Sequence, residues 1–514
     1  MKKYLKIIKE YIVLSIIISL CEAIITSIIL LFPGWLVDNF QNGISYMLKL
    51  TIFYIIAFTI YLIVSYASNR VADYRRIKFE KELKKDFFNS IISQDYKKYH
   101  EYSTEEYISM QANDITEMCQ NYLSPLLSIY RSLLLIAAFG ISLMLFVNFY
   151  IAILIFIFSL IVVFIPKITA KELANKNKIY MDAIGRYTAN INKMFGAHDI
   201  LDEKSKKRIK EIHGDNIEDV LAYNMDYRKT NSLAMVINGG SVEFVSVITF
   251  IIVAILLIKG KITVGMATIA FTYSTRFMEP IYELNVCLGK VHSVKKIQEK
   301  LLTVIESESI DKRIKLNIQN ISTTQLTKRY KQIKLTMPQA YFEYPKKYLI
   351  TGENGVGKSV FLKLLMQFEK ADCGNIEYDG EKDVDILDNI CYVPQNPVVF
   401  NASYLDNVTF WGTYENKNLA LYESFFPREI LDNIKQNELV DNLSGGEKQI
   451  IAFIRALCSE KKIIIMDEPF SAMNNISIDC FMKHLNSIEK MMVIVAHNLG
   501  DYEKQFDENI VILR

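Results

Sequence analysis

The segment GENGVGKS, residues 352–359, has the residue types and spacing of a phosphate-binding loop. Four residues separate Gly352 from Gly357, and Lys358 and Ser359 follow directly. In such a loop the backbone N–H groups surround the phosphates, the lysine reaches the β- and γ-phosphates, and the serine hydroxyl binds Mg²⁺. The strand-like YLIT before it and a helix expected from Ser359 onward supply the required context. The predicted nucleotide contacts in this loop are Gly352, Asn354, Gly355, Gly357, Lys358, Ser359 and Val360.

A second segment, LSGGEKQ at residues 443–449, is also suited to binding an anion. Ser444 and two glycines precede a charged, helix-like stretch, so free N–H groups and the helix dipole would both favour negative charge there. One chain therefore carries two phosphate-binding turns of different design. The candidate contacts in this turn are Ser444, Gly445, Gly446 and Glu447.

Polar side chains follow three further apolar strands. IIIMDEP ends in Asp467 and Glu468, MMVIVAH ends in His497, and YVPQ ends in Gln395. Asp467 is placed to hold Mg²⁺ through water, and Glu468 to polarise the attacking water. Two acids after a strand can simply begin a turn, and a lone histidine is more often only a satisfied polar group. The loop at 352–359 and the position of these residues at the carboxyl ends of strands favour the catalytic interpretation.

The elements that must position these residues occupy the second half of the chain, whereas the first half is strongly apolar. Six stretches there could cross a bilayer, which needs roughly 20 mainly apolar helical residues. The six predicted spans are 11–33, 46–68, 125–148, 149–170, 233–258 and 263–288. The alternative, a soluble helical bundle, requires a polar helix face that the first and fourth spans lack.

Charge placement predicts the orientation of these spans. Lysines precede the first span, and clusters of lysine and arginine follow the second and fourth, whereas the loops after the first, third and fifth spans are short. By the positive-inside rule both termini are cytoplasmic. The net charge of +2 gives no basis for nucleic acid as a partner. The 7 cysteines show no CxxC pair or zinc spacing, which indicates thiols in a reducing compartment.

The organisation predicted from these patterns has three parts. Residues 1–290 form a transmembrane domain whose cytoplasmic connections, 69–124 and 171–232, are long and helix-rich. Residues 291–313 form a polar linker. Residues 314–514 alternate short apolar strands with helices, which predicts an α/β domain with a mostly parallel sheet.

The ordered set GENGVGKS, YVPQ, LSGGEKQ, IIIMDE and VAHN closely resembles the nucleotide-binding domain of ATP-binding-cassette proteins. With six spans ahead of it, the chain resembles a bacterial half-transporter of the exporter type. Weaker cues in the membrane half are PGWLVD, ANDITE and GKITVG. The resemblance implies an exporter-type membrane domain of six transmembrane helices followed by a P-loop NTPase domain with a helical subdomain, using ATP and Mg²⁺.

The resemblance also implies roles for individual residues. Gln395 would contact Mg²⁺ and the lytic water, so that the metal set is Ser359, Gln395 and Asp467. Glu468 would be the catalytic base, and His497 would contact the γ-phosphate. An aromatic side chain upstream of the loop would stack on adenine; Tyr330 is our choice and Tyr341 the alternative.

The second phosphate turn is explained by the same resemblance. In a head-to-tail dimer, residues 444–447 of one chain would close on the ATP held by the other chain, so the partner is a second half-transporter, with an identical chain expected before a different one. Helices that couple the two domains should fall near 97–104 and 189–202. One departure from the family pattern is Asn474, where Ser471-Ala472-Met473 would ordinarily be followed by an aspartate, and this puts communication between the two ATP sites in doubt.

Ionisable residues within the spans mark a candidate substrate pathway, since a charge at the bilayer centre costs about 2.5–3.5 kcal/mol on insertion scales. The candidates are Glu22, Glu243, Arg276 and Glu279, with Arg131 near the inner edge of the third span. The alternative is that these groups snorkel or pair with one another. Pro280 could kink the sixth span.

These observations predict ATP-driven export by alternating access across the plasma membrane, with the ATP-binding domain and both termini in the cytoplasm. The expected substrate is a peptide or an amphipathic natural product. The alternatives are a lipid or drug exporter, an exporter-shaped importer, and an ATP-gated regulator or channel without flux. The expected partners are the bilayer, a second chain and the exported substrate.

Overall fold

The computed structural model describes residues 1–306, 317–330, 333–382, 384, 386, 388–415, 417–436, 443–497 and 499–513. Contacts divide the chain into two units. Unit 1 comprises Met1–Gln94 and Tyr102–Glu308, and unit 2 comprises Asp95–Glu101 and Ser309–Arg514. The predicted linker, 291–313, is described only as far as residue 306; the rest of it lies outside the described residues.

Unit 1 is helical throughout its described part, and the short helix α4 belongs to unit 2. The helices are α1 (Lys2–Ile7), α2 (Lys9–Asp38), α3 (Ile44–Ile92), α4 (Tyr96–Tyr99), α5 (Thr104–Ser109), α6 (Ile115–Met118), α7 (Ser124–Phe146), α8 (Phe149–Phe164), α9 (Pro166–Gly196), α10 (Glu203–Ile258), α11 (Val264–Arg276), α12 (Met278–Ser293) and α13 (Lys295–Ile305). Two π-helical turns, Met110–Asp114 and Cys119–Leu123, make α5, α6 and α7 one continuous helix.

Helices cover all six predicted spans, but two of the spans are divided. Among the described residues, four helices are long and apolar enough to cross a membrane: Lys9–Asp38, Ile44–Ile92, Thr104–Phe146 and Glu203–Ile258. The fourth predicted span ends as α8 after 16 residues, and the sixth is split into α11, of 13 residues, and α12. The second break lies at Phe277. Pro280 has no N–H to donate to the carbonyl of Arg276 and its ring crowds that carbonyl, which explains a break at this point.

Helices α2 and α11 pack unusually closely where the cues PGWLVD and GKITVG meet. The Asp38 carboxylate accepts hydrogen bonds from the Thr263 hydroxyl, at 2.5 Å, and from the backbone N–H of Gly265, at 2.7 Å. A Cβ atom on Gly34 would lie 2.5 Å from the Gly265 carbonyl oxygen, so this approach requires glycine. Sequence segments more than 200 residues apart are thus joined at the first turn of α11.

Unit 2 contains three sheets. Its strands are β1 (Asn320–Thr323), β2 (Leu326–Tyr330), β3 (Ile333–Met337), β4 (Ala340–Glu343), β5 (Lys347–Gly352), β6 (Ile376–Tyr378), β7 (Ile390–Val393), β8 (Ile463–Asp467), β9 (Met491–Val495) and β10 (Glu508–Ile512). Its further helices are α14 (Lys358–Leu365), α15 (Tyr404–Thr409), α16 (Leu419–Glu423), α17 (Arg428–Gln436), α18 (Gly445–Cys458) and α19 (Asn475–His484).

The central sheet is parallel, with strand order β10-β5-β9-β8-β7. An antiparallel sheet, β4-β1-β6, and a hairpin, β2-β3, complete the unit. Every residue of β8 and β9 is buried, because helices or the smaller sheets cover both faces. Met492 and Ile494 face one hydrophobic cluster with α18 and α19, whereas Met491 and Val493 face the other with α14. The predicted α/β domain is confirmed, and its strands end at one edge, where β5, β7, β8 and β9 deliver the candidate site.

Candidate active site

The loop between β5 and α14 has the backbone of a phosphate cradle. Gly352, Gly355 and Gly357 have φ of 153°, 82° and 106°, values that side chains other than glycine rarely adopt. The Lys358 ammonium donates to the carbonyls of Gly352, at 2.9 Å, and Glu353, at 3.1 Å, so it lies folded over its own loop. Lys358 is 6% exposed. These carbonyls hold the ammonium inside the loop, and the oxygens of a bound phosphate could replace them as its hydrogen-bond acceptors.

The remaining predicted residues of this loop differ in exposure. Asn354 and Ser359 are exposed, whereas Val360 is half-buried and packs against the hydrophobic cluster around α14. Asn354 is therefore open to a ligand, and Val360 also anchors the first turn of α14.

Asp467, the last residue of β8, lies beside the hydroxyl of Ser359. The Ser359 hydroxyl is hydrogen-bonded to the Asp467 carboxylate, and burial raises the pKa of that carboxyl while the hydroxyl lowers it. Asp467 is 7% exposed, and its Oδ1 has no hydrogen-bond partner among the described residues. A buried, unpaired carboxylate oxygen beside a hydroxyl suits a hard divalent cation such as Mg²⁺.

A metal held here would not need a protein cage. The described part of the chain contains no group of three or more His, Cys, Asp or Glu side chains that could hold a metal ion. Mg²⁺ in nucleotide sites uses one or two protein ligands together with waters and phosphates. Ser359 and Asp467 therefore fit Mg²⁺ that arrives with a nucleotide.

The three side chains predicted to be catalytic lie together, since Gln395 and His497 both contact Glu468. The Gln395 amide donates to its Oε2 at 2.8 Å, and Nε2 of His497 lies 3.0 Å from its Oε1. Glu468 has a positive φ of 47°, which is strained for a residue with a side chain, and its N–H donates to the Val495 carbonyl at 2.9 Å. The carboxylate lies between the Gln395 amide and the His497 imidazole. Such a carboxylate, with an amide and an imidazole on either side, could accept a proton from a water molecule.

Ser444 caps the first turn of α18. Its N–H and hydroxyl both donate to the Glu447 carboxylate at 2.7 Å, and its hydroxyl oxygen accepts from the Glu447 N–H at 3.3 Å. This is a capping box, in which serine and glutamate satisfy one another's free donors. None of the hydrogen bonds described for this turn reaches the loop at 352–359.

The second phosphate turn, residues 444–447, is called the signature turn, and its two glycines, Gly445 and Gly446, lie against Ala472 in the segment after β8. A Cβ atom on Gly446 would be 2.7 Å from the Ala472 carbonyl oxygen, and one on Gly445 would be 3.2 Å from the Ala472 Cβ. Neither glycine has a positive φ, so here glycine is required for space and not for backbone conformation. Asn474 in the same segment caps α19, because its side chain accepts from the Ser477 N–H at 2.8 Å. Asparagine thus retains a capping role at the position of the expected aspartate.

Sequence reasoning missed Gln449, which the structure places next to the catalytic group. Gln449 is 1% exposed, and its amide contacts Gln395, Ser471 and Ala472. The available signal was a polar residue at the start of the apolar stretch IIAFI of α18, which is a buried position.

The two candidate adenine-stacking tyrosines lie on different sheets. Tyr330 is 39% exposed at the end of β2, and its hydroxyl donates to the Glu369 carboxylate. Burial and that carboxylate raise the pKa of the Tyr330 hydroxyl. The paired strand β3 reaches the phosphate loop, since Leu335 would lie 3.1 Å from a Cβ on Gly357. Tyr341, 51% exposed, is on β4 in the other antiparallel sheet. The hairpin position supports Tyr330, which stays a prediction.

The four ionisable residues predicted for the substrate pathway are not brought together. Glu22 is 3% exposed and accepts two hydrogen bonds from Arg131, from Nε at 3.0 Å and from a terminal nitrogen at 2.7 Å. Arg276 pairs with Glu279 at 3.6 Å, and both side chains are exposed. Glu243 is exposed on α10. The Glu22–Arg131 pair matches the alternative interpretation, a mutual salt bridge.

One of the predicted coupling segments has a defined contact. Helix α4, which overlaps the segment predicted near 97–104, belongs to unit 2, and the Tyr96 ring stacks on Phe368 with a centroid distance of 4.0 Å. In the second segment, near 189–202, α9 is followed by a short 3₁₀ turn, His198–Ile200.

Comparison with protein families identifies both halves of the chain. The family described as ABC transporter transmembrane region matches residues 10–281, which is more than half of the chain, and the family described as ABC transporter matches residues 330–471. Together with the long apolar helices, the first match makes this a membrane protein.

Proteins similar in sequence to this chain are named for different activities. A lactococcin transport/processing ATP-binding protein of Lactococcus lactis is 28% identical over 273 residues, which are 48% of this chain and 37% of that protein. A putative export ATP-binding/permease protein of Rickettsia typhi is 24% identical over 98% of this chain and 92% of its own length. An ATP-dependent lipid A-core flippase of Aliivibrio fischeri is 24% identical over 67% of this chain and 65% of its own length. The matches span well under half the length of the lactococcin transport proteins.

A solved structure gives the fold of the whole chain. A bacterial Atm1-family ABC exporter with ATP bound superimposes with a TM-score of 0.80, covering 99% of this chain and 94% of its own, at 15% sequence identity. At that identity the similarity establishes the fold and not the substrate.

Proposed function

Since the chain belongs to the ABC transporter family, we propose that it is a half-transporter that hydrolyses ATP and uses the energy for export across the plasma membrane. The observation that carries the proposal is the convergence of Gln395 and His497 on Glu468, next to the buried, unpaired oxygen of Asp467. All four lie at the edge of the sheet where the phosphate loop begins.

In the proposed reaction, each group acts on water or on phosphate. Glu468 accepts the proton of the attacking water, and Gln395 holds that water in line. His497 donates to the γ-phosphate. Lys358 leaves the carbonyls of its own loop and binds the phosphates, an exchange that a charged acceptor makes favourable. Mg²⁺, held by Ser359, Gln395 and Asp467, would neutralise the charge that develops on the phosphates.

Two chains are proposed to complete two sites. At the first turn of α18, Ser444 and Glu447 satisfy one another's N–H groups, whereas no hydrogen bond is described from the N–H groups of Gly445 and Gly446, nor any from this turn to the phosphate loop of its own chain among the described residues. An ATP held by one chain can therefore be closed by Ser444, Gly445 and Gly446 of the other. A homodimer is the simplest arrangement, because each chain carries one copy of both turns.

The membrane unit is proposed to alternate between inward and outward access as the ATP sites close and reopen. A peptide or amphipathic natural product is the proposed cargo, which the lactococcin relatives and the charged residues of the spans support. Lipid export is the second candidate, favoured by the flippase relative. Both termini and the ATP-binding domain are proposed to be cytoplasmic.

The exposed charges of α10, α11 and α12 are the proposed contacts for a polar substrate. They are Glu243, Arg276 and Glu279. Glu22, also proposed for the pathway, is buried on α2 and would act through its partner Arg131, whose side chain is 38% exposed. Glu243→Gln and Arg276→Met should change substrate-stimulated ATPase activity but not basal activity. Unchanged stimulation and transport in both variants would remove these residues from the pathway.

Flux in sealed vesicles tests the proposed function. The full chain would be reconstituted in proteoliposomes, ATP added to the outward-facing nucleotide domains, and uptake of labelled peptides and labelled lipids measured, with Lys358→Ala as the inactive control. ATP-dependent uptake corresponds to export from the cell. ATP hydrolysis without flux of either class would indicate a regulator or channel, and flux in the opposite direction would indicate an importer.

A further inference from the structure

The amide of Gln449 connects three segments around the proposed hydrolysis site. Its Nε2 donates to the Gln395 carbonyl at 3.5 Å and to the Ser471 hydroxyl at 3.3 Å, and its Oε1 accepts from the Ala472 N–H at 3.3 Å. The side chain is 1% exposed, so water does not compete for these groups. A buried amide whose donor and acceptor ends are both occupied fixes the relative positions of its partners.

Close packing at the signature glycines joins two of the same segments independently. The signature turn contacts the backbone of Ala472 so closely that a methyl group on Gly446 would lie 2.7 Å from its carbonyl oxygen. The first turn of α18 and the segment 471–474 therefore have little freedom to move separately.

The third connected segment leads directly to the catalytic carboxylate. The backbone carbonyl of Gln395 is held by Gln449, and the Gln395 side chain donates to Glu468 at 2.8 Å. A displacement of α18 is thus transmitted through one residue to the position of Glu468.

We propose that Gln449 is a positioning residue that couples closure of the signature turn on one ATP to the geometry of the hydrolysis site in its own chain. In the dimer, Ser444 of a chain closes on its partner's ATP while Gln395 of the same chain serves its own. Gln449 links these two events because it belongs to α18 and contacts both the segment 471–472 and Gln395.

This route bears on the departure at Asn474. That side chain caps α19 through Ser477 and carries no charge, so communication by a carboxylate at this position is absent. The amide of Gln449, on α18, hydrogen-bonds to Ser471 and Ala472 of the same segment and supplies a neutral connection between the two sites. This role rests on the proposed function, because it requires two ATP sites in one dimer.

The test is the ATPase activity of the full chain in lipid nanodiscs, comparing Gln449→Leu with wild type. Leucine fills the buried volume and removes all three contacts. We expect kcat to fall about tenfold and the Hill coefficient for ATP to fall to about 1, while KM for ATP changes less than about twofold, since ATP-binding groups are untouched. Gln436→Leu, at an exposed position on α17, is the matched control and should behave as wild type.

A structural effect is separated from coupling by a second variant and a cycle. Ser471→Ala removes one contact without altering the core of α18, and should show the same loss of kcat at smaller size. In the double variant the two losses should not add. If Gln449→Leu fails to fold, the kcat of Ser471→Ala alone tests the proposed role.

Three results would overturn the role of Gln449. The first is an unchanged kcat and Hill coefficient in Gln449→Leu, and the second is a loss of kcat that is fully explained by a smaller fraction of folded protein. The third is full additivity of the losses in Gln449→Leu and Ser471→Ala. Wild-type protein that binds ATP without hydrolysing it would instead overturn the proposed function. The two failures are therefore distinguishable.

Discussion

The tight packing of the signature turn on Ala472 gives a prediction that separates backbone from side-chain contact. In Gly446→Ala the new methyl group would lie 2.7 Å from the Ala472 carbonyl oxygen, so one segment must move by roughly 0.5 Å to reach van der Waals distance. In Gly445→Ala the new methyl would lie 3.2 Å from the Ala472 Cβ, a milder overlap with a side chain. Both substitutions therefore overpack the same contact in different ways.

The expected magnitude follows from the cost of overpacking a well-packed site. Such changes cost about 1–3 kcal/mol, and a nucleotide domain of this size loses about 2–4 °C in Tm per kcal/mol. We expect Gly446→Ala to lower the Tm by about 2–12 °C and Gly445→Ala by less than half of that. Helix propensity favours alanine over glycine, so it would only reduce the loss.

The assay is thermal unfolding of the full chain in detergent without nucleotide, where the proposed contact of this turn with a partner's ATP is absent. Ala472→Gly removes the Cβ that meets Gly445 but leaves the carbonyl that meets Gly446. Adding Ala472→Gly should therefore restore the Tm of Gly445→Ala and not that of Gly446→Ala. An unchanged Tm in Gly446→Ala, or equal rescue of both variants, would refute the packing described for this contact.

Three further predictions concern separate parts of the chain. Glu22→Gln breaks a two-bond ion pair in which the Glu22 side chain is 4% exposed and that of Arg131 38% exposed, and it should lower the Tm in detergent. The cost should be less than the ~3–5 kcal/mol of a fully buried pair, because Arg131 is partly exposed. Glu243→Gln at an exposed site should leave the Tm unchanged, and equal effects would contradict this pairing. Burial lowers the pKa of Lys347 to about 8 from its ordinary 10.5, so unfolding takes up a proton between pH 8 and pH 10.5. The free energy of unfolding should therefore rise as the pH increases through this range, and this rise should be absent in Lys347→Met. Ser444→Ala should abolish hydrolysis while ATP binding persists. Mixing it with Lys358→Ala should restore one of the two ATP sites in each dimer that contains one chain of each variant. Loss of ATP binding by the isolated Ser444→Ala chain would refute the proposed action in trans.

The grouping of residues at the candidate nucleotide site could be predicted from the sequence because the local backbone determines their positions. The glycine spacing at 352–357 determines the loop, and a polar residue after a buried strand must lie at the carboxyl edge of a parallel sheet. The convergence of Gln395 and His497 on Glu468 follows from adjacent strands β7, β8 and β9. Their roles in hydrolysis remain predictions.

Long-range pairing is less accessible from sequence. The partner of Glu22 lies 109 residues further on, and periodicity does not identify which arginine faces which carboxylate. The contacts of Gln449 are equally hard to predict from sequence, since its partners are a carbonyl, a hydroxyl and an N–H in two separate segments. The break of the sixth span at Phe277 is local, because it follows from Pro280.

The most direct test of ATP hydrolysis at this site is the steady-state ATPase rate of Glu468→Gln at saturating MgATP in nanodiscs, with ATP binding measured in parallel. Glutamine keeps the size of the side chain between Gln395 and His497 but cannot accept a proton. We predict a loss of at least about 100-fold in kcat, in line with the 10²–10⁴-fold contribution of a general base, with ATP binding within about twofold of wild type. A Glu468→Gln chain that hydrolyses ATP near the wild-type rate would contradict the account of this site.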